Sequence, residues 1–202
     1  MGNKIKPVPN LKMRDIEFFR ALSNCGHIKS TDCNKFIESK MSKTRFDLYV
    51  KSNIVTRVAD QKTKETYYKF TDNAKYYIRG LDIGVTHFQK ATSPYHDSKI
   101  ADKYFSLNST SLRDSWKNET ELKHDFLNHI DELRANQEYD QADELEERYK
   151  NEEISIPDGS WVNNQGIEIC FESITNNYGD LEIQAKENFV TEMHYEIEFS
   201  RK

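Results

Sequence analysis

Between residues 13 and 79 the apolar residues change their spacing twice, and that succession limits the folds open to the chain. Met13, Ile16, Phe19 and Leu22 recur at intervals of three, which predicts a helix capped by Asn10 and stopped at Cys25-Gly26, where glycine supplies the left-handed turn. Ser30 or Thr31 caps a second, short helix through Phe36 and Ile37. Ser42 caps a third, whose inward stripe is Phe46, Tyr49, Val50 and Ile54. Two short runs rich in β-forming residues follow, IVTRVA and ETYYKFT, joined by DQKTK. A further helix begins at Thr71. Three helices, a two-stranded ribbon and a closing helix spell a winged helix-turn-helix over residues 1–90.

Charge follows the same division. Residues 1–90 hold 18 Lys+Arg against 9 Asp+Glu, whereas residues 91–202 hold 11 against 25, leaving the whole chain at −5. A basic half is suited to a polyanion, and double-stranded DNA is the partner this half is expected to meet. On the third helix, the face opposite Phe46 and Val50 carries Thr44, Leu48 and Lys51, flanked by Arg45 and Ser52. Arg and Lys suit guanine edges or phosphates, and Thr and Leu suit a thymine methyl. Lys62 and Lys64 at the ribbon tip are placed to grip backbone phosphate. The other reading of such a domain is a protein-docking scaffold, which the basic charge disfavours.

The remaining composition sets limits. No apolar run has the length of a membrane span and the N-terminus lacks the apolar core of a signal peptide, so a cytoplasmic protein with no membrane partner is expected. Cys25, Cys33 and Cys170 have neither ribbon nor finger spacing, which predicts reduced, buried thiols and no metal held by them.

Residues 91–150 read as a helical connector or interaction segment. SPYHDSKIADKYFSL forms an amphipathic helix, and His96-Asp97 at its start is read as capping rather than as a metal or acid–base pair. Leu122, Phe126, Ile130 and Leu133 share one stripe, and Tyr139, Ala142, Leu145 and Tyr149 another. The slip of phase between them predicts a bend or a helix pair. The acidic run EYDQADELEERYKNEE is a solvated face or an arm for a protein partner, and the sequence leaves open a homodimer and whether it would run through the 119–150 helices.

Residues 151–202 read as a hairpin, with one strand around Ile154–Ile156 and Trp161-Val162 and another at GIEICFESIT. A helix over GDLEIQAKENFVTEM and a last strand at HYEIEFS follow. Packed with helices from 96–150, this is a small α/β layer, so the chain as a whole is α+β. It orders three acids: Glu119 on a helix, Asp158 at a strand end, and Glu168 or Glu172 on the next strand. Converging carboxylates of this kind hold Mg²⁺ or Mn²⁺ against a phosphodiester.

The succession of a winged helix, H-D-x-x-I-A-D (96–102), W-x-x-E-x-E-L (116–122), P-D-G (157–159) and F-E-S-I-T (171–175) resembles the replication-relaxation proteins of plasmids and phages. Those join a winged helix to a degenerate domain of the restriction-endonuclease type. The resemblance implies that Glu119, Asp158 and Glu172 stand where an endonuclease-like core keeps its acids. Such a core also wants a lysine two residues after the strand acid, where this chain has Ile174; Lys186 on the following helix is the residue that could replace it. Two functions are therefore expected. The favoured one is a non-enzymatic, cofactor-free DNA-binding protein of a mobile element, acting in replication, relaxation or transcription control. The alternative is a metal-dependent nuclease with a migrated lysine.

Overall fold

The computed structural model describes residues 5–8, 10–35, 41–60, 64–174 and 178–200. It is a mixed α+β structure that divides into two compact units, 1–113 and 114–202. The segment 91–150, expected as one connector, is therefore shared between them. Among the described residues no helix is long and apolar enough to cross a membrane.

The first unit begins with α1, Met13–Cys25. Asn10 does not cap it: Asn10 lies in the left-handed region at φ 53, and the Asp15 carboxylate instead reaches back to accept the Lys12 N–H at 2.8 Å. The buried face is Asp15, Phe18, Phe19, Leu22 and Cys25, while Met13 is exposed. The helix is thus turned from the expected stripe, because Phe18 and Asp15 occupy the inward side. A two-residue strand β1 (Ile28–Lys29) and a 3-10 turn over Asp32–Lys35 follow; the part of the expected second helix that holds Phe36 and Ile37 lies outside the described residues.

Ser42 caps α2 (Lys43–Lys51) by accepting the Arg45 N–H, as expected. The ribbon forms from β2 (Val55–Ala59) and β3 (Thr66–Phe70), and β1 adds to it in the order β1-β3-β2, antiparallel throughout. Thr71 then caps α3, Asp72–Arg79. Rings fill the space between α1, α2 and the sheet: Phe18 stacks on Tyr49 at 5.4 Å, and Phe46 on Tyr68 at 4.7 Å between centroids. α4 (Pro94–Ser106) packs on α1, and α5 (Thr110–Asp114) follows it.

The second unit opens with β4 (Lys117–Asn118), α6 (Glu119–Ala135) and α7 (Tyr139–Lys150). The phase slip is a turn between two packed helices: Gln137 takes φ 68, and the Glu138 N–H closes onto the Leu133 carbonyl at 2.9 Å. β5 (Gly159–Val162), β6 (Glu168–Ser173), α8 (Asp180–Met193) and β7 (Glu196–Ser200) complete it. The sheet runs β4-β5-β6-β7, with β5–β6 antiparallel and β6–β7 parallel across the α8 crossover. Ile154–Ile156 is not a strand. The Ser155 N–H bonds to the Ala185 carbonyl of α8 at 3.1 Å, Pro157 has no N–H to offer a ladder, and Ile154 and Ile156 are buried in the core. That core gathers Leu122, Phe126 and Ile130 of α6, Leu145 of α7, Cys170 of β6 and Phe189 of α8.

Candidate functional site

The sequence motifs of the second unit meet through one short strand pairing. β4 lies beside β5 with Asn118 opposite Gly159, so the W-x-x-E and P-D-G segments become neighbours. Gly159 is required there: a Cβ would stand 2.6 Å from Trp116 Cζ2 and 3.0 Å from the Lys117 carbonyl. On the other side of the pairing, Asn118 caps α6 by accepting the N–H groups of Thr120 and Glu121. Glu119 is therefore the first residue of a helix whose start is tied to the P-D-G turn.

Asp158 and Glu172 are held by a reciprocal clamp. The Asp158 N–H donates to Glu172 Oε2 at 3.1 Å, and the Ser173 N–H donates to Asp158 Oδ2 at 2.8 Å. Lys186, from the middle of α8, brings its Nζ to 3.2 Å from Glu172 Oε2 and donates to the Ile156 carbonyl at 2.6 Å. The Tyr178 hydroxyl donates to the other oxygen, Glu172 Oε1. Glu172 is fully buried, and Asp158 and Lys186 nearly so. Burial pushes the Glu172 carboxyl up, and the negative charge of Asp158 pushes the same way. Lys186 and Tyr178 offset part of this, leaving it at about 7. Burial and the neighbouring charges of Glu172, Asp158 and Glu119 raise the Tyr178 hydroxyl as well.

Glu119, Tyr178 and Lys186 line one cleft of about 870 Å³, with Lys123 of α6 on its wall. The four residues singled out from the acid order and the resemblance, Glu119, Asp158, Glu172 and Lys186, thus belong to one region of the unit. Glu168 does not join them: it accepts from Lys117 at 3.0 Å and from Ser160 at 2.5 Å, and Lys117 also pairs with Asp125. Sequence reasoning missed Tyr178, for which no spacing or motif speaks. Among the described residues no group of three or more His, Cys, Asp and Glu side chains is arranged to hold a metal; the acids brought together here are the pair Asp158 and Glu172.

The residues expected to face DNA fare unequally. Thr44 and Lys51 of α2 are exposed and Leu48 is half-buried. Arg45 is committed elsewhere: its Nε and Nη2 donate to the fully buried Asp15 at 3.0 and 2.6 Å, and Tyr49 donates to the same carboxylate at 2.5 Å. Burial works to raise the Asp15 carboxyl, but these donors and the Lys12 N–H together hold it below its ordinary value. Ser52 is buried at the C-terminal end of α2, where the backbone doubles back and its carbonyl accepts the Lys6 N–H. Neither Arg45 nor Ser52 belongs to the exposed face of α2. Lys64 is exposed in the turn before β3, and Lys62 lies outside the described residues.

His96-Asp97 is not a cap. Ser93 caps α4 by accepting the His96 N–H, while the buried Asp97 carboxylate is shared by His27 Nδ1 at 2.8 Å and His96 Nδ1 at 3.1 Å. All three cysteines are free and buried, and burial raises each thiol. Compared with known proteins, the chain matches no family model, no curated sequence and no solved structure.

Proposed function

We propose that this chain is a DNA-binding protein whose second unit carries a metal-dependent centre for phosphodiester hydrolysis, endonuclease-like in plan, with its lysine moved from the strand to the helix. The observation that carries the proposal is Lys186 Nζ standing 3.2 Å from Glu172 Oε2. Ile174 makes the strand position useless for catalysis, and the substitute stands beside the strand acid.

A pair of oxygen donors suits a hard cation that keeps part of its water, as Mg²⁺ and Mn²⁺ do, and does not suit a closed Zn²⁺ site. Asp158 and Glu172 would hold that ion, which when bound polarises the phosphate and makes water a better nucleophile. The chain's own groups do the rest. Tyr178 and the Asp158 N–H each hold one oxygen of Glu172 and so fix its plane. Lys186, aimed by the Ile156 carbonyl, supplies positive charge where charge grows on a phosphate in the cleft.

The DNA-binding part of the proposal assigns the first unit to the winged-helix class. A short strand between α1 and α2 that completes a three-stranded sheet with the ribbon after α2 supports this, as do the exposed Thr44, Lys51 and Lys64 and the excess of basic residues in the first ninety. One observation favours the second reading, an accessory protein that keeps the core only as a fold: the Lys186 ammonium and both carboxylates are satisfied internally and almost wholly buried.

Cleavage of single- and double-stranded DNA with Mg²⁺ or Mn²⁺ separates the two. Metal-dependent cutting lowered about 10²–10³-fold in Lys186→Met, and lost in Asp158→Ala and Glu172→Ala, is the expected result. Absence of cutting by the wild-type chain under both metals, with duplex binding intact, would refute the enzyme and leave the accessory role.

A further inference from the structure

On the first unit a cleft of about 420 Å³ is lined by Thr56, Lys69, Thr71, Lys75, Phe88 and Lys90. Thr56 and Lys69 are register partners on β2 and β3. Side chains alternate along a strand, and the next residue, Tyr68, stacks on Phe46 of α2. Lys69 therefore points to the opposite face of the ribbon from α2, and this cleft is separate from the α2 surface.

Three lysines, Lys69, Lys75 and Lys90, line the cleft. Lys75 is held over the Phe88 ring at 6.0 Å, and Arg79 covers the same ring at 5.2 Å. Asp72 lines the cleft as well. Among the described residues no carboxylate forms an ion pair with Lys69, Lys75 or Lys90, whereas Lys29 of the same unit pairs with Glu65 at 3.0 Å. Three lysines share this lining with the Asp72 carboxylate, so the cleft keeps an excess of positive charge, and two of the lysines are half-buried. An anion with several acceptor oxygens offsets that excess, and the hydroxyl of Thr56 adds a polar group to the same wall.

We propose that this cleft binds the phosphoryl group of a phosphate ester, neutralised by Lys69, Lys75 and Lys90. The inference does not depend on hydrolysis in the second unit. The phosphoryl group comes either from a free nucleotide or from the backbone of a DNA strand that passes the far face of the ribbon.

The test titrates the full chain with inorganic phosphate, with adenosine monophosphate and with a DNA duplex, comparing wild type with Lys69→Gln/Lys75→Gln/Lys90→Gln. A nucleotide source predicts that the triple variant binds the monophosphate about tenfold or more weakly, with duplex affinity unchanged. A backbone source predicts weaker duplex binding, with the salt slope reduced by about 0.9 for each phosphate no longer neutralised. Should the triple variant fail the circular-dichroism check for folding, Thr56→Glu, which sets a carboxylate opposite Lys69, must weaken the same probe. The proposal falls if wild type binds none of the three probes, or if a folded variant binds all of them as wild type does.

Discussion

Replacing Arg45 by Met tests whether this arginine holds the fold or faces a ligand. The substitution keeps an apolar stem of similar length and removes two donors, at 3.0 and 2.6 Å, from a carboxylate with no solvent exposure. Breaking a buried pair by removing one partner costs about 3–5 kcal/mol. Tyr49 and the Lys12 N–H remain on Asp15, which places the expected loss at the lower end, about 3 kcal/mol. For a unit of this size each kcal/mol moves the melting temperature by about 4–5 °C, so a fall of roughly 12–15 °C is expected at neutral pH. The sign of the pH effect follows from the depressed Asp15 carboxyl. A lowered carboxyl contributes stability above its unfolded value, and that contribution disappears as pH falls through the folded one. Wild type and variant should therefore converge only as pH falls below the ordinary carboxylate range. Calorimetry of the full chain reads this, with Phe126→Ala, which truncates the core of the second unit, assigning the other transition. Lys51→Met, on the exposed side of the same helix, should stay within about 0.5 kcal/mol. Equal, small effects at Arg45 and Lys51 would show that the Asp15 network does not hold the unit together.

Three further outcomes are expected. Gly159→Ala should destabilise the second unit by about 1–3 kcal/mol, because the new Cβ meets Trp116; a double-mutant cycle with Trp116→Leu should recover part of the loss, and strict additivity would refute the clash as the cause. With divalent metals absent, the raised Glu172 carboxyl contributes stability that is fully present below the ordinary carboxyl range and is lost as pH rises through about 7. Glu172→Gln should flatten that slope in melting temperatures taken between about pH 5 and 8, and an unchanged slope would assign it to another group. Asp97→Ala should cost the first unit about 2–4 kcal/mol, since it strips the buried His27 of its partner; a loss below about 0.5 kcal/mol in denaturant titration would make the histidine clasp incidental.

Where a signal is local, it could be read directly. Ser42 caps the helix it was expected to cap, and the helix expected from Thr71 starts there with Thr71 as its cap, because capping is settled within four residues. The helix at 180–193 and the strand after it were legible for a similar reason: period and turn chemistry act over one or two turns. The acids of the site were also legible as an order along the chain. Their company was not. The strand carried two candidates, Glu168 and Glu172, and only the pairing of β5 with β6 put one beside Asp158 and the other beside Lys117. Lys186 sits on a helix whose pattern does not mark it as inward-facing; it reaches Glu172 because the crossover from β6 to β7 lays that face of α8 over the sheet. Arg45 read as an exposed base-contacting side chain because a helical wheel knows nothing of Asp15, thirty positions earlier in sequence. Asp97 read as a cap because its partner His27 lies seventy positions away. Periodicity says which face of an element is buried, whereas the partner of a buried charge depends on which other element covers that face, and only the packed chain decides that.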